Sequence, residues 1–147
     1  KMTLYEGGIR EPFVACWPGR IPAGQTVESP AFAPDLFATF IALAGGQVPG
    51  DRVIDGRNMM GLLDGSGPRE GSDFFIFTHA DRMAAREGDW KLILAGKDAA
   101  KQPAELYDLK SDIQETQNLA AEHPDIVKRL TSRVIDAKQA TVAASGN

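Results

Sequence analysis

The sequence predicts a mixed α/β fold of the α+β kind, because its patterned segments follow a particular order. A short apolar run and a strongly apolar helix occupy the first part of the chain, short strand-like segments follow residue 68, and an amphipathic helix comes last. Strands and helices segregated in this way are typical of helices packed on an antiparallel sheet. The 147 residues suffice for about one domain, which we divide into residues 1–68 and 69–147.

The first predicted element is a strand in the apolar run PFVACW, from Pro12 to Trp17. The run shows no alternation of apolar and polar residues, which is typical of a strand buried on both faces. Pro18-Gly19 then provides a turn. We therefore expect this strand to lie inside a larger sheet.

The clearest helix runs from Pro34 to Gly46. Pro34 suits the first helical position, Asp35 complements the helix dipole, and Gly45 suits a left-handed stop. Apolar side chains cover most of the circumference of this helix, which predicts burial on more than one side. The turn-rich stretch that follows allows one further short helical piece, from Met59 to Leu63.

Strand-like segments dominate the second part of the chain, from Asp73 to His79, from Arg82 to Ala95 and from Glu105 to Leu109. The middle segment breaks at Glu87-Gly88-Asp89, a good hairpin turn, so the three segments predict an antiparallel sheet of about four short strands. The stretch from His123 to Ser145 has a proline near its start and one apolar stripe, which is typical of a helix that covers a sheet.

Composition and charge argue against several classes of function. The net charge of −4 and the pI of about 5.1 argue against binding to nucleic acid by general charge attraction. No apolar run approaches the roughly 18 residues of a membrane span, and a single cysteine cannot form an internal disulfide.

The chain opens on the motif-dense turn KMTLYEGGIREP with no targeting pattern, so we expect it to be cut from a longer polypeptide.

This opening turn carries the strongest motif of the chain. It reads K-x-T-x-x-E-G-G-x-R-x-P from Lys1 to Pro12, followed by Trp17-Pro18-Gly19, and it resembles the second signature of the sulfatase family, best known from the arylsulfatases. Further pieces follow in the family's order, which chance would hardly produce. They are a D-L-x-x-T helix ending in L-A-G (Asp35 to Gly45), D-G (Asp55-Gly56), L-L-x-G (Leu62 to Gly65), A-x-R-x-G-x-W-K (Ala84 to Lys91), E-L-Y-D-L (Glu105 to Leu109) and N-L (Asn118-Leu119).

The resemblance implies a hydrolase of sulfate esters. Residues 1–68 would then end an alkaline-phosphatase-like α/β domain, and residues 69–147 would form a small C-terminal antiparallel sheet packed with a terminal helix. In this family the nucleophile is a formylglycine made from a cysteine or serine near the start of the chain, and the sulfate lies beside a calcium-like divalent cation. Both would belong to the missing N-terminal part of the same polypeptide, so we expect this chain alone to hold no metal and to be inactive.

The resemblance also indicates which residues would meet the substrate. Lys1 stands where the family's lysine reaches the sulfate, and a fixed cation there would neutralise charge that the transition state spreads over the oxygens. His79 and Arg82 follow a predicted strand, where residues often carry function, and are candidate substrate-binding residues; a structural role stays open for both. Glu6-Gly7-Gly8 is interpreted as a turn that supports Lys1.

Two other features are interpreted as structural. Arg86 and Lys91 flank the hairpin turn at Gly88, which predicts cross-strand pairing on a solvent-exposed face. The pentapeptide CWPGR, from Cys16 to Arg20, spells the Cys-x-Pro-x-Arg pattern of a formylglycine site, but the Ile-Pro-Ala-Gly after it cannot start the helix that such a site needs. Because free cysteine packs like a small apolar side chain, we expect Cys16 in the core.

Two functions of other kinds stay open. The whole protein could be a phosphodiesterase or phosphonate hydrolase of the same superfamily, since similar groups hold any charged tetrahedral substrate. The chain could also be a non-catalytic binding module. In each case the apolar segments from Pro12 to Trp17 and from Pro34 to Gly46 would lack neighbours in this chain, so we predict that it self-associates.

Overall fold

The computed structural model describes residues 3–71, 73–98 and 100–145. The chain forms two compact units: one joins the chain up to Pro12 to the part from Phe74 onward, and the other is Phe13–Asp73. The predicted division at residue 68 separates the opening turn from the sheet, whereas contacts in the structure group the two together.

The first unit contains the predicted antiparallel meander. Its four strands are β1 (Phe74–His79), β2 (Arg82–Glu87), β3 (Trp90–Ile93) and β4 (Glu105–Asp108), and they lie in the order β1-β2-β3-β4. The turn between β2 and β3 contains Gly88 at a φ of 57°, a conformation that glycine adopts without steric cost. The predicted sheet and its central hairpin turn are therefore confirmed.

The register of the strands defines two faces of the sheet. Ala84 lies opposite both Phe77 of β1 and Ile93 of β3, so these three side chains share one face. This face is covered by Leu4 and by the short helix α1 (Glu6–Ile9), and we call it the α1 face. Its core consists of Leu4, Ala84, Ile93, Tyr107 and Leu109, with Phe77 packed against them.

The opposite face is covered by the terminal helix α4 (Pro124–Ser145), and we call it the α4 face. Leu130 of α4 is fully buried against Leu92 and Leu106. Glu87 of β2 forms ion pairs with two arginines one helical turn apart, Arg129 and Arg133. The predicted covering helix is confirmed.

The outer edge of β4 is closed by the predicted N-L pair. The side-chain oxygen of Asn118 accepts the N–H of Leu106 at 3.0 Å, and the N–H of Leu119 donates to the carbonyl of Leu106 at 2.8 Å. Both backbone groups that Leu106 would otherwise expose at the edge are thereby paired, which keeps the edge from pairing with another chain.

The second unit is built around α2 (Ala33–Leu43) and α3 (Met60–Asp64). Both helices were predicted, and Gly45 takes the left-handed conformation of the predicted stop, with a φ of 76°. The hydroxyl of Thr39 accepts the N–H of Met59 at 3.0 Å and so ties the start of α3 to α2. No helix of the described residues is long and apolar enough to cross a membrane.

Asp35 organises this unit from a fully buried position. Its carboxylate accepts the N–H of Phe32 at 3.0 Å, which caps the start of α2, and the N–H of Arg57 at 2.8 Å. Arg69 donates to the two oxygens of the same carboxylate at 2.7 and 2.8 Å. Asp35 is therefore a helix-start residue, as predicted, and also the centre of a polar network that sequence reasoning missed.

The prediction of a strand from Pro12 to Trp17 is wrong for this chain, and so is the prediction that Cys16 lies in the core. The segment has no regular secondary structure, Val14 is 90% exposed, and Cys16 is exposed. A strand needs a neighbour to pair its backbone groups, and the described residues provide no such neighbour for this segment.

The prediction that α2 is buried on more than one side is also wrong for this chain. Asp35, Ala38 and Thr39 are its buried residues, while Phe37 and Phe40 are 49% and 62% exposed. The helix sequence is more apolar than the packing within this chain requires.

We expect these exposed apolar side chains to make the isolated chain self-associate, because large exposed apolar patches drive association. Light scattering should show a mass above the monomer that rises with concentration, and the double substitution Phe37→Ser and Phe40→Ser should reduce it. Substitution of the exposed Lys101 by serine serves as the control. A monomer at all concentrations would contradict this expectation.

Candidate functional site

The candidate site is built on the opening turn, of which the structure describes Thr3 onward; Lys1 lies outside the described residues. The turn closes through α1, where the carbonyl of Tyr5 accepts the N–H groups of Gly8 and Ile9. A Cβ atom on Gly8 would lie 2.4 Å from Oγ1 and 2.6 Å from the carbonyl oxygen of Thr3. Glycine at position 8 thus lets the turn close directly onto Thr3, two residues after Lys1.

A buried group of charges, which we call the Lys91 cluster, fixes this turn to the α1 face; it consists of Glu6, Arg86, Lys91 and Glu115. The Lys91 side chain has no exposed surface, and its Nζ lies 2.9 Å from Oε1 of Glu6 and 2.7 Å from Oε1 of Glu115. Oε2 of Glu115 also accepts the N–H of Glu6. Nη1 of Arg86 lies 3.9 Å from Oε2 of Glu6, so the two positive and two negative groups balance.

The register of β2 and β3 explains why this cluster exists. Arg86 lies directly opposite Lys91, and like charges in that arrangement repel each other. The carboxylate of Glu6 contacts both cations and so relieves the repulsion. The two residues flank the hairpin as predicted, but the predicted solvent-exposed face is wrong, because α1 covers it.

Glu115 reaches Lys91 from a loop with an unusual backbone conformation. Its φ is 56°, in the left-handed region that residues with a Cβ rarely adopt. The carboxylate of Asp112 holds this loop by accepting the N–H groups of Thr116 and Gln117, each at 2.8 Å. These bonds, chiefly the one from Gln117, lower the pKa of Asp112 and keep its carboxylate charged.

A second polar group, the Glu105 network, links the opening turn to the β1–β2 hairpin; it consists of Tyr5, Arg82, Glu105 and Tyr107. The phenols of Tyr5 and Tyr107 donate to Oε2 of Glu105 at 2.6 and 2.7 Å. Nη2 of Arg82 donates to Oε1 of Glu105 at 2.9 Å. A single carboxylate therefore joins the opening turn, β4 and the start of β2.

The protonation states of the Glu105 network follow from these contacts. Burial disfavours the charged form of Glu105, but the hydrogen bonds from Tyr5, Tyr107 and Arg82 outweigh it, and the pKa of Glu105 is lowered. The pKa of Tyr5 is raised, chiefly by its hydrogen bond to Glu105, and the pKa of Tyr107 is raised, chiefly by burial. At neutral pH the carboxylate is thus charged and both phenols keep their protons.

The structure brings the two predicted substrate-binding residues together. His79 and Arg82 lie opposite each other across the turn at one end of the β1–β2 hairpin, on the α1 face. The side chain of His79 is exposed. The guanidinium of Arg82 is held by Glu105 and by the carbonyls of Leu94 and Pro103, at 3.2 and 3.1 Å. His79 is therefore open to a ligand, while most of the Arg82 guanidinium is engaged in positioning the hairpin.

Sequence reasoning missed the roles of Lys91, Glu105 and Glu115. A signal was present for Lys91: strand alternation places it on the same face as Ile93, and W-K-L-I offers apolar residues to both faces. A lysine on such an apolar face is expected to be buried together with an acidic side chain that neutralises it. Glu115 had no comparable signal, because its contact depends on a loop conformation.

The described residues contain no group of three or more histidine, cysteine, aspartate or glutamate side chains that could hold a metal ion. We therefore assign no metal ligand among the residues that the structure describes. Among the candidate residues that the structure describes, His79 offers an exposed ring and Arg82 offers the part of its guanidinium that is not engaged, and donors of this kind suit an anionic or hydroxyl-bearing ligand.

Comparison with known families gives a match over nearly the whole chain. The family model described as "N-sulphoglucosamine sulphohydrolase, C-terminal" matches residues 1–140. This range includes every residue of the Lys91 cluster and of the Glu105 network.

Curated relatives carry sulfatase names. Human arylsulfatase D is 46% identical over 98 residues, which cover 62% of this chain and 16% of the relative. Mouse N-acetylgalactosamine-6-sulfatase is 50% identical over 91 residues, which cover 62% of this chain and 17% of the relative. The chain thus spans about a sixth of the length of these relatives.

Solved structures share the fold of the chain. The structure of Ps i-CgsB in complex with k-i-k-neocarrahexaose has a TM-score of 0.70 and 25% identity, and the match covers 82% of this chain and 27% of that one. BT4656 in complex with its substrate D-glucosamine-2-N,6-O-disulfate has a TM-score of 0.63 and 25% identity, with 84% of this chain and 27% of that one covered.

Proposed function

Since this chain belongs to the family of N-sulphoglucosamine sulphohydrolase C-terminal domains, we propose that the whole protein is a sulfatase that hydrolyses sulfate esters. The observation that carries this proposal is the family match over residues 1–140, which starts at the lysine of the opening turn. Relatives at 46% and 50% identity that bear sulfatase names support it.

In this proposal the chain supplies one part of the active site. A formylglycine nucleophile and a calcium-like divalent cation would be held by residues outside this chain, and they would supply the attacking oxygen and a positive charge beside the sulfate. Lys1 binds a sulfate oxygen and neutralises charge that develops there in the transition state. The isolated chain is expected to be inactive.

The β1–β2 hairpin borders the substrate in the same proposal. His79 donates a hydrogen bond to the alcohol side of the ester, because its exposed ring is free to turn toward a ligand. Arg82 donates to the substrate through the part of its guanidinium that Glu105 does not occupy. Its bonds to Glu105 and to the carbonyls of Leu94 and Pro103 keep the hairpin in register. The relatives named steryl-sulfatase and N-acetylgalactosamine-6-sulfatase differ in the alcohol part of the ester that their names specify. This difference supports a site in which the residues that bind the sulfate are shared and those that border the alcohol vary.

Substitution of Lys1 by alanine in the whole protein tests the proposal. We expect the kcat for 4-nitrophenyl sulfate to fall by roughly 10²- to 10³-fold, as for the loss of one donor to a developing oxyanion. The matched control is Lys101→Ala, because the Lys101 side chain is 83% exposed and its ion-pair partner Asp98 is exposed as well. Steady-state rates measured with added Ca²⁺ give the comparison.

Other outcomes would identify the alternative functions. A wild-type protein that hydrolyses bis(4-nitrophenyl) phosphate and leaves the sulfate ester intact would be a phosphodiesterase. A wild-type protein that hydrolyses neither ester, with or without Ca²⁺, would be a binding module and would contradict the proposal.

A further inference from the structure

The Lys91 cluster lies outside the residues that the proposed reaction uses, and its construction calls for an explanation. It places an ammonium group, a guanidinium and two carboxylates in the α1 face, with the Lys91 side chain wholly buried. Removing charges from water is costly, and a buried ion pair of this kind is often no more stabilising than apolar side chains of similar volume. Stability alone is therefore a poor reason for the cluster.

The geometry of the cluster points to orientation instead. Glu6, Lys91 and Glu115 come from three separate segments: α1, β3 and the loop after β4. Glu115 makes two contacts with different parts of this arrangement, since one oxygen faces Lys91 and the other accepts the N–H of Glu6. Charge-assisted contacts of this kind are strong, and three segments meet at one buried ammonium group, so the cluster fixes where α1 lies on the sheet.

The contacts that hold α1 continue toward the start of the chain. Leu4 is buried in the core of the α1 face, and the phenol of Tyr5 is bonded to Glu105 at 2.6 Å. Thr3 lies so close to Gly8 that no Cβ fits between them. The sheet therefore holds Leu4, Tyr5 and Glu6 by separate contacts, and Thr3 lies directly against Gly8.

We propose that Lys91 and Glu115 are positioning residues that aim Lys1 at the sulfate by holding Glu6 and the opening turn. This proposal rests on the proposed function. Lys91 itself cannot contact a ligand, because its side chain has no exposed surface and its ammonium group already faces two carboxylates. It acts on the reaction through Glu6.

A double-mutant cycle in the whole protein tests the proposal. Lys91→Met should lower the kcat for 4-nitrophenyl sulfate by roughly 10- to 100-fold, because a small misplacement of a catalytic group costs that much. It should also weaken inhibition by inorganic sulfate. In a Lys1→Ala background the same substitution should change kcat by less than about twofold, since the group that it positions is gone.

A second variant and a control separate positioning from folding. Glu115→Gln keeps the size of the side chain and an oxygen for the N–H of Glu6 but removes the charge that faces Lys91; it should show the same pattern in milder form. Leu130→Ala weakens the sheet from the α4 face, where Leu130 is fully buried. It should lower the melting temperature and leave kcat and sulfate inhibition unchanged below that temperature.

The outcomes distinguish this inference from the proposed function. An inactive wild type would overturn the proposed function and the positioning role with it. An active wild type in which neither Lys91→Met nor Glu115→Gln changes kcat would overturn the positioning role alone. So would an equal loss of kcat in the presence and in the absence of Lys1.

Discussion

Replacement of Asp35 by alanine is expected to lower the free energy of unfolding of the unit Phe13–Asp73 by about 3–5 kcal/mol, because it leaves a buried arginine without its counter-charge. The carboxylate is fully buried and accepts bonds from Arg69 and from the N–H groups of Phe32 and Arg57. Alanine removes all of these acceptors together and leaves two partly buried N–H groups without their partner.

Urea denaturation of the 147-residue chain, followed by circular dichroism, measures this loss, and hydrogen exchange should locate it in α2. The matched control is Asp51→Ala. Asp51 also pairs with an arginine, Arg52, but both side chains are about two-thirds exposed. The control should unfold at the same urea concentration as the wild type. Equal effects of the two substitutions would refute the role given to Asp35.

Replacement of Gly8 by alanine is expected to destabilise the opening turn by about 1–3 kcal/mol, the usual range for forcing an extra carbon into a filled space. The new Cβ would meet the backbone of Thr3 at 2.6 Å, and backbone cannot move aside as a side chain can. In the whole protein we expect kcat to fall as well, because Thr3 lies two residues from Lys1.

Gly7→Ala provides the matched control for Gly8. A Cβ at Gly7 would meet no atom within 4 Å from the described residues beyond its chain neighbours and its own helix, and alanine is the better helix former. Hydrogen exchange of residues 3–8 should accelerate in Gly8→Ala and stay at the wild-type rate, or slow, in Gly7→Ala. Acceleration in both variants would show that the close contact with Thr3 is not what matters.

Most of the small sheet unit could be predicted because its signals are local. Alternating strands, the glycine at the hairpin turn and an amphipathic helix each depend on neighbours in the sequence. Successive side chains of the motif E-L-Y-D-L lie on alternate faces of the sheet: Glu105 and Tyr107 lie on the α1 face, and Leu106 lies on the α4 face. In this strand the alternation in the sequence therefore matches the packing on the two faces of the sheet.

The predictions that failed depend on partners distant in sequence. PFVACW reads as a buried strand, yet a strand forms only where another strand accepts its hydrogen bonds. Lys91 reads as a surface residue of a hairpin, yet Glu6, 85 residues away, covers and neutralises it. A residue's type predicts its environment only when the contacts that create the environment lie nearby in the chain.

The candidate site was predicted from motif identity more than from physical pattern. The lysine of the opening turn and the residues His79 and Arg82 come from the family resemblance and from their places beside a strand. The cluster around Lys91 and the network around Glu105 come only from three-dimensional contacts, since they unite segments that are far apart in the sequence. Their shared feature is that each holds the opening turn to the sheet.

The central claim is that the ammonium group of Lys1 contacts the sulfate in the whole protein. A crystal structure of the whole protein with bound inorganic sulfate measures this directly. The account predicts Nζ of Lys1 within about 2.7–3.2 Å of a sulfate oxygen. A structure in which the sulfate is bound while Lys1 extends into bulk solvent, away from the anion, would contradict it.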